Sequence, residues 1–329
     1  MLLSVIVPVH NGENYIKRCI DHVEKALIYA KIEDESEVIV INDGSTDKTE
    51  EICKNLLKEY KNIIIKDLND VGPPEARNAG LDNSTGEYIS FVDADDVINE
   101  DFFKVMLKAV EDTGADVVGC NFYKWSYEED IKDDHSDINP VYHIYRGDDY
   151  LSREVLNGDS RVWSKIYKKA SLKGLRFNPE AYVGEDLVFQ TNMSKLVNKI
   201  ARFDDYYGYG YYLNPNGAMI RPFRETFMSQ IRAWELVRDE VRDKDKAGVT
   251  SKLMEAIMLI ACKLALLDKK KRQENIKHIN TCIEKVKENL RSFPEAYKML
   301  DRGYRIKVRL FDFSPNLFMN IYHIWKNKK

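Results

Sequence analysis

In the first 125 residues, short β-branched apolar runs alternate with longer stretches of helical periodicity, and this rhythm constrains the fold more than any other feature. Runs at 3–7, 37–41, 62–66, 88–92 and 116–122 read as strands. Segments 13–29, 47–60, 73–83 and 100–111 read as helices. The third opens on Pro73 and Pro74, which suit a first helical turn. Strands this apolar are covered on both faces, so the expectation is an α/β fold with a mostly parallel sheet and flanking helices. Residues 126–146 interrupt the pattern with Glu128, Glu129, Asp130, Asp133, Asp134 and Asp137, and read as a solvated insertion. Short elements resume over 147–213, including a helix at 185–197. Residues 223–302 read as largely helical, and 315–325 as a last, aromatic-rich helix.

In an open parallel sheet, ligands bind beyond the carboxyl ends of the strands. Polar clusters fall at three such ends: His10 to Gly12, Asn42 to Ser45, and Asp93 to Asp96. One cluster is ordinary turn chemistry; three in succession point to a site. Neither the GxGxxG turn of a dinucleotide site nor a GxxxxGK[ST] phosphate loop occurs. The strand ends carry carboxylates instead. These repel phosphate, but they bind ribose hydroxyls and base N–H groups, or hold a Mg²⁺ or Mn²⁺ that grips phosphate. Asp93 and Asp95 thus suit a metal-bridged nucleotide diphosphate, with helix capping by Asp95 and Asp96 as the plainer alternative. A phosphatase-type Asp-x-Asp-x-Thr is disfavoured, because position 97 is Val97.

Four segments stand in order: Ser4-Val-Ile-Val-Pro-Val-His-Asn11, Val40-Ile-Asn-Asp-Gly-Ser-Thr-Asp47, Ala76-Arg-Asn-Ala-Gly80 and Phe91-Val-Asp-Ala-Asp-Asp96. Together, over residues 3–213, they resemble glycosyltransferase family 2, inverting enzymes of the Rossmann-like GT-A fold. The resemblance implies a UDP-sugar donor and Mn²⁺ or Mg²⁺. Pro8, Val9 and Glu13 would line the uridine pocket, Asp43 would accept from the uracil N–H, and Asn69 and Arg77 would add base contacts. Asp93, beside Ala94, would touch the ribose or the metal, and Asp95 would be the direct metal ligand. Taken singly, Arg77 reads as a solvated helix residue and Glu13 as a favourable first-turn charge. Asp70-Val-Gly-Pro-Pro-Glu75 departs from the family's more glycine-rich loop, and its two prolines stiffen it.

Val162-Trp-Ser-Lys-Ile-Tyr-Lys168, Phe177 and Gly184-Glu-Asp-Leu-Val-Phe189 are similar to the acceptor half of family members. Transfer needs a base to deprotonate an acceptor hydroxyl. The resemblance assigns this to Asp186, with Glu185 as a second acceptor-side group; simple helix capping is the alternative. Trp163 and Lys165 are acceptor candidates, Trp163 as a sugar-stacking face or a core aromatic. This gives a catalytic part at 1–222, divided into a nucleotide-sugar half at 1–125 and an acceptor half at 147–222. The helical region takes up 223–329. The resemblance further implies an acceptor that is a glycan or lipid-linked hydroxyl, in surface polysaccharide assembly. A nucleotidyltransferase and a non-catalytic nucleotide-sugar-binding scaffold are the rivals.

Charge is unevenly spread. Residues 269–329 hold 16 Lys and Arg against 6 Asp and Glu, a net +10, whereas the whole chain is −4. That average argues against a nucleic-acid partner. Basic residues from Arg305 to Lys329 flank Leu310, Phe311, Phe313, Leu317, Phe318, Ile321, Tyr322 and Trp325. This pattern suits peripheral contact of 305–329 with an anionic membrane, or packing within the domain or against a second copy. Leu253, Ile257, Ile260 and Leu264 share a helix face, for a bundle core or a homo-oligomer contact. Five scattered cysteines without a CxxC pair, and an N-terminus without a basic n-region, read as cytoplasmic, at most peripheral on the inner face of the plasma membrane.

Overall fold

The computed structural model describes residues 1–131, 141–215, 217 and 220–327. It divides into two compact units, Met1–Pro179 with Phe189–Pro215, and Glu180–Val188 with Asn216–Lys329. In chain order the first elements are β1 (Leu3–Val9), α1 (Ile16–Ala30), β2 (Ser36–Asp43), α2 (Thr49–Glu59), β3 (Ile63–Leu68), α3 (Pro73–Asn83) and β4 (Tyr88–Phe91). Next come β5 (Val97–Ile98), α4 (Phe102–Thr113), β6 (Val117–Gly119), β7 (Phe122–Trp125), β8 (Tyr142–Tyr145), α5 (Gly147–Arg153) and β9 (Lys165–Lys168). They are followed by α6 (Glu185–Leu196), β10 (Ile200–Phe203) and β11 (Tyr209–Tyr212).

Eight strands form the main sheet in the order β3-β2-β1-β4-β9-β6-β10-β8. The run from β3 to β4 is parallel, β10 is parallel to β6, and β9 and β8 are reversed. The α/β expectation holds. β2 is buried at every position because both faces are covered. Val5, Val7, Val38 and Val40 pack toward α1 and α4, while Ile39 and Ile41 meet Ala76 of α3 on the other face. Gly80 lets α3 approach closely: a Cβ there would lie 2.3 Å from Ile6 Cγ2.

The run 116–122, expected as one strand, is two. β6 stays in the main sheet and β7 joins a second sheet, β5-β11-β7. Between them Cys120 donates to the Ser164 carbonyl and Asn121 to the Tyr206 carbonyl, so the backbone leaves one ladder for another. Within the acidic segment 126–146, Asp133, Asp134 and Asp137 lie outside the described residues. Lys328 and Lys329 do as well.

The second unit carries α7 (Ser229–Glu240), α8 (Asp243–Leu266), α9 (Lys269–Glu274), α10 (Ile276–Ser292), α11 (Pro294–Met299), α12 (Arg302–Phe313) and α13 (Pro315–Asn327). Leu253, Ile257, Ile260 and Leu264 of α8 are the middle of its core, with Cys282, Val286, Val308, Phe311 and Phe318 around them. Among the described residues no helix is long and apolar enough to cross a membrane.

Candidate active site

Register places the ends of β1 to β4 along one edge. Val9 lies opposite Asn42, Asp43 opposite Leu68, and Ile6 opposite Phe91. The loops leaving them are laced together. Asn11, in the left-handed region at φ 53°, accepts from Thr46 N–H (2.7 Å), and its own N–H donates to Ser45 Oγ (2.9 Å). Gly12 N–H donates to Thr49 Oγ1 (2.8 Å). Glu13 accepts from Lys48 N–H (3.0 Å), so its carboxylate ties the first loop to the second. Pro8 and Val9 are the last residues of β1, and Asn69 is exposed just past β3.

Asp43 is buried, and both its oxygens are engaged. Val71 N–H donates to Oδ1 and Gly72 N–H to Oδ2, each at 2.7 Å. Its carboxylate thus holds the loop before α3, and further donors meet only its remaining lone pairs. Gly44, at φ 65°, allows this: a Cβ would fall 2.6 Å from Asp70 N.

The acidic turn after β4 is organised by partners from distant sequence. Arg77 of α3, buried, donates from Nη2 to Asp93 Oδ1 (2.9 Å). Ala94 and Asp95 form the turn that Asp96 N–H closes on the Asp93 carbonyl (3.0 Å). Asn214 Nδ2 donates to Asp95 Oδ2 (3.0 Å). Asp96 is fully buried and accepts from the Tyr209 hydroxyl (2.7 Å) and Tyr212 N–H (2.8 Å). The Tyr209 oxygen in turn accepts from Asp93 N–H (3.2 Å). Burial, then the charges of Asp95 and Asp93, push the Asp96 carboxyl well above its ordinary range. Burial raises Asp95 too, with the Asn214 bond opposing it and the Asp93 charge adding to it. Arg18 stands nearby, its guanidinium 4.5 Å from the Trp125 ring centre and 5.7 Å from that of Tyr212.

Trp163 lies in an aromatic stack, with ring centres 4.5 Å from Tyr209 and 5.5 Å from Tyr211. Trp163 is buried, whereas Tyr211 is 37 % exposed and forms the accessible end of the stack. Lys165 is a correction to the expectation. It is 1 % exposed, and its ammonium donates to Asp159 (3.1 Å) and the Arg161 carbonyl (2.7 Å), inside the fold and not at an accessible surface. Burial lowers Lys165 to about 8 against the pull of Asp159. Burial alone would raise Asp159, but the charges of Lys165, Arg161 and Arg202 outweigh it and hold it well below the ordinary range.

Glu185 and Asp186 occupy the first turn of α6, where the helix dipole favours their ionised forms. Both are half-buried and belong to the second unit, as does Gly184, whose N–H donates to Glu185 Oε2 (3.1 Å). A hollow of about 590 Å³ lined by Gly86, Glu87, Lys169 and Lys173 opens before the start of β4, at the edge opposite the strand ends.

A model of Glycosyl transferase family 2 matches residues 4–175, which contain every strand-end cluster described above. The chain belongs to this family. Glycosyltransferase GlyA of Streptococcus pneumoniae is 31 % identical over 212 residues, 60 % of this chain and 29 % of the relative. The minor teichoic acid biosynthesis protein GgaB of Bacillus subtilis is 31 % identical over 209 residues, 62 % of this chain and 21 % of the relative. The chain therefore spans under a third of the length of these two relatives. S. aureus TarS 1–349, solved in complex with UDP-GlcNAc, superposes with a TM-score of 0.68 at 20 % identity, covering 100 % of this chain and 93 % of that one. Mannosyltransferase PcManGT from Pyrobaculum calidifontis, solved with GDP-Man and Mn²⁺, gives 0.53 at 15 % identity, with 98 % and 87 % covered. The family carries the GT-A fold that these neighbours share.

Among the described residues no group of three or more His, Cys, Asp or Glu side chains is placed to hold a metal by itself. The donor chemistry does fit a cation shared with a ligand. Asp93 and Asp95 are two hard oxygen donors, and Mg²⁺ and Mn²⁺ take one or two carboxylates beside substrate phosphates and water.

Proposed function

We propose that this glycosyltransferase moves a hexose or N-acetylhexosamine from a UDP-sugar to a hydroxyl of a glycan or lipid-linked acceptor in surface polysaccharide assembly. The observation that carries the reading is the organised acidic turn. Asp93 is held by Arg77, Asp95 by Asn214, and Asp96 by Tyr209 and Tyr212, all at the strand-end edge. Asp96 is spent on structure, which leaves Asp93 and Asp95 to hold Mn²⁺ or Mg²⁺. Such a cation, when bound, supplies positive charge to the leaving diphosphate. Pro8, Val9, Glu13, Asn69 and Ala94 line the nucleotide's place. Asp43 serves it by fixing the loop before α3, and Arg77 by fixing Asp93. Trp163 backs an acceptor wall whose accessible face is Tyr211. The catalytic part is 1–222 and the helical region 223–329. The UDP-GlcNAc held by TarS and the teichoic acid role in the name of GgaB support this donor and acceptor class.

Asp186 is the base and Glu185 its acceptor-side companion. Asp186 takes the proton of the acceptor hydroxyl, the oxygen attacks the anomeric carbon, and the bond from that carbon to the diphosphate oxygen breaks. The displacement inverts the centre. Asp186→Asn should lower turnover at least ~100-fold, the low end for a general base, while UDP binding stays within twofold of the parent. Near-normal turnover in that variant refutes the assignment. Release of UDP from a panel of UDP-sugars separates this reading from a binding scaffold. Pyrophosphate release from a nucleoside triphosphate and sugar phosphate would reveal a nucleotidyltransferase.

A further inference from the structure

The last two helices each bury one apolar stripe and expose another. In α13, Phe318 and Met319 are buried, Tyr322 stacks on Phe318 with ring centres 5.8 Å apart, and His323 Nδ1 pairs with the Ala265 carbonyl. With successive side chains about 100° apart around a helix axis, these four fill one side. Leu317, Ile321, Ile324 and Trp325 fall on the other, within an arc of about 100°, and all four are exposed, Ile324 at 54 % and Trp325 at 50 %. The helix contains no acidic residue and carries Lys326 in its last turn. In α12, Val308 and Phe311 are buried, and the opposite stripe reads Arg302, Ile306, Arg309, Phe313, with Phe313 83 % exposed. Phe311 and Phe318 join the two helices, with ring centres 5.2 Å apart.

A soluble helix hides its apolar stripe and shows a polar one. These helices show apolar residues outward after their inward faces are already filled, and on α12 the outward residues are interleaved with Arg302 and Arg309. A second copy of the chain would fit the apolar part, but a two-fold contact sets the same patch against itself and opposes arginine to arginine. An anionic lipid surface satisfies both parts, since the rings and aliphatic chains enter the acyl boundary while the cations reach the headgroups. At 13 residues, or about 20 Å of helix, α13 is too short to span and suits lying in the interface plane.

We propose that the outward faces of α12 and α13 form a peripheral docking surface for an anionic membrane leaflet. This goes beyond the transferase reading and does not depend on it. The test uses the full chain with vesicles of phosphatidylcholine alone or mixed with phosphatidylglycerol. Binding should require phosphatidylglycerol, weaken as salt rises, and fall at least tenfold in Ile321→Asp/Ile324→Asp. Arg302→Glu should weaken it by roughly fivefold or more, the ratio matching about 1 kcal/mol per basic residue near an anionic leaflet. Vesicle binding should also shift the tryptophan emission to the blue, and Trp325→Phe should remove most of that shift. Circular dichroism and the melting temperature confirm that each variant folds. Three outcomes overturn the proposal: no binding to phosphatidylglycerol vesicles by the intact chain, binding unchanged in both variants, or a concentration-dependent dimer that Ile321→Asp/Ile324→Asp disperses in a chain that ignores lipid.

Discussion

Asp43 shows how a single carboxylate can shape the loops around a site. Its two oxygens each accept a backbone N–H, from Val71 and Gly72, at 2.7 Å. Asp43→Asn keeps one acceptor and turns an amide donor toward the other N–H. The loop should open, and exchange at the Val71 and Gly72 amides should speed roughly 10- to 100-fold, matching the loss of about 1.5–3 kcal/mol for a charge-assisted bond. Unchanged exchange would mean that the loop is held by other contacts. Glu24 presents a different case. It is 3 % exposed on α1, meets Asn62 Nδ2 at 3.3 Å, and has no partner for Oε1 among the described residues. Burial raises its pKa to about 7. The folded protein therefore holds this proton more tightly than the unfolded chain. Stability from this group is fully present below the unfolded value near 4.5 and is lost as pH rises through 7. Glu24→Gln removes that dependence. The variant should gain on the parent by on the order of 2–3 kcal/mol between pH 5 and 8 in urea unfolding. A pH-independent difference between the two would show that Glu24 does not titrate in this window.

At the scale of elements, α3 illustrates what local sequence reveals and what it hides. Pro73 marks its start in the sequence and in the structure alike, because a proline lacks only a donor that the first turn leaves unpaired anyway. The strands were readable because each is a short apolar run on a doubly covered sheet. The division of 116–122 into β6 and β7 was not, because the partners that divide it, Ser164 and Tyr206, lie over 40 residues away. The site follows the same rule. Its strand-end acids stand in local clusters, whereas Asn214 and Tyr209 reach Asp95 and Asp96 across 119 and 113 residues. Lys165 misled for a related reason: its proximity to Trp163 in sequence says nothing of Asp159, which claims its ammonium. Gly80 carries a packing constraint visible only in three dimensions. Gly80→Ala would drive a methyl into Ile6 and should destabilise the fold by about 1–3 kcal/mol, the usual cost of overpacking. In an Ile6→Ala background the same change should cost less, because the γ-carbons it strikes are gone. Simple additivity in chemical denaturation would contradict this account.

For the molecule as a whole, charge decides how the donor is received. Residues 1–268 sum to −14, and Asp93, Asp95 and Asp96 sit within four positions of one another at the strand-end edge. Arg77 offsets Asp93 directly, and the Arg18 charge lowers Asp95, yet burial still leaves the Asp95 and Asp96 carboxyls raised. A bare diphosphate brought to that edge meets carboxylates, and desolvation strengthens the repulsion. A divalent cation reverses the sign of the local field. UDP should therefore bind at least tenfold more tightly with Mn²⁺ or Mg²⁺ than in EDTA, a difference of about 1.4 kcal/mol or more in titration calorimetry. Asp95→Asn should erase most of the gain, because it removes a ligand and part of the repulsion together: metal-bound affinity falls while affinity in EDTA holds or rises. That opposite movement separates a ligand from a residue that only supports the fold, whose loss would weaken both. Equal affinity with and without metal in the intact chain would place the diphosphate away from the acidic turn, and the reading of Asp93 and Asp95 as its metal ligands would fall with it.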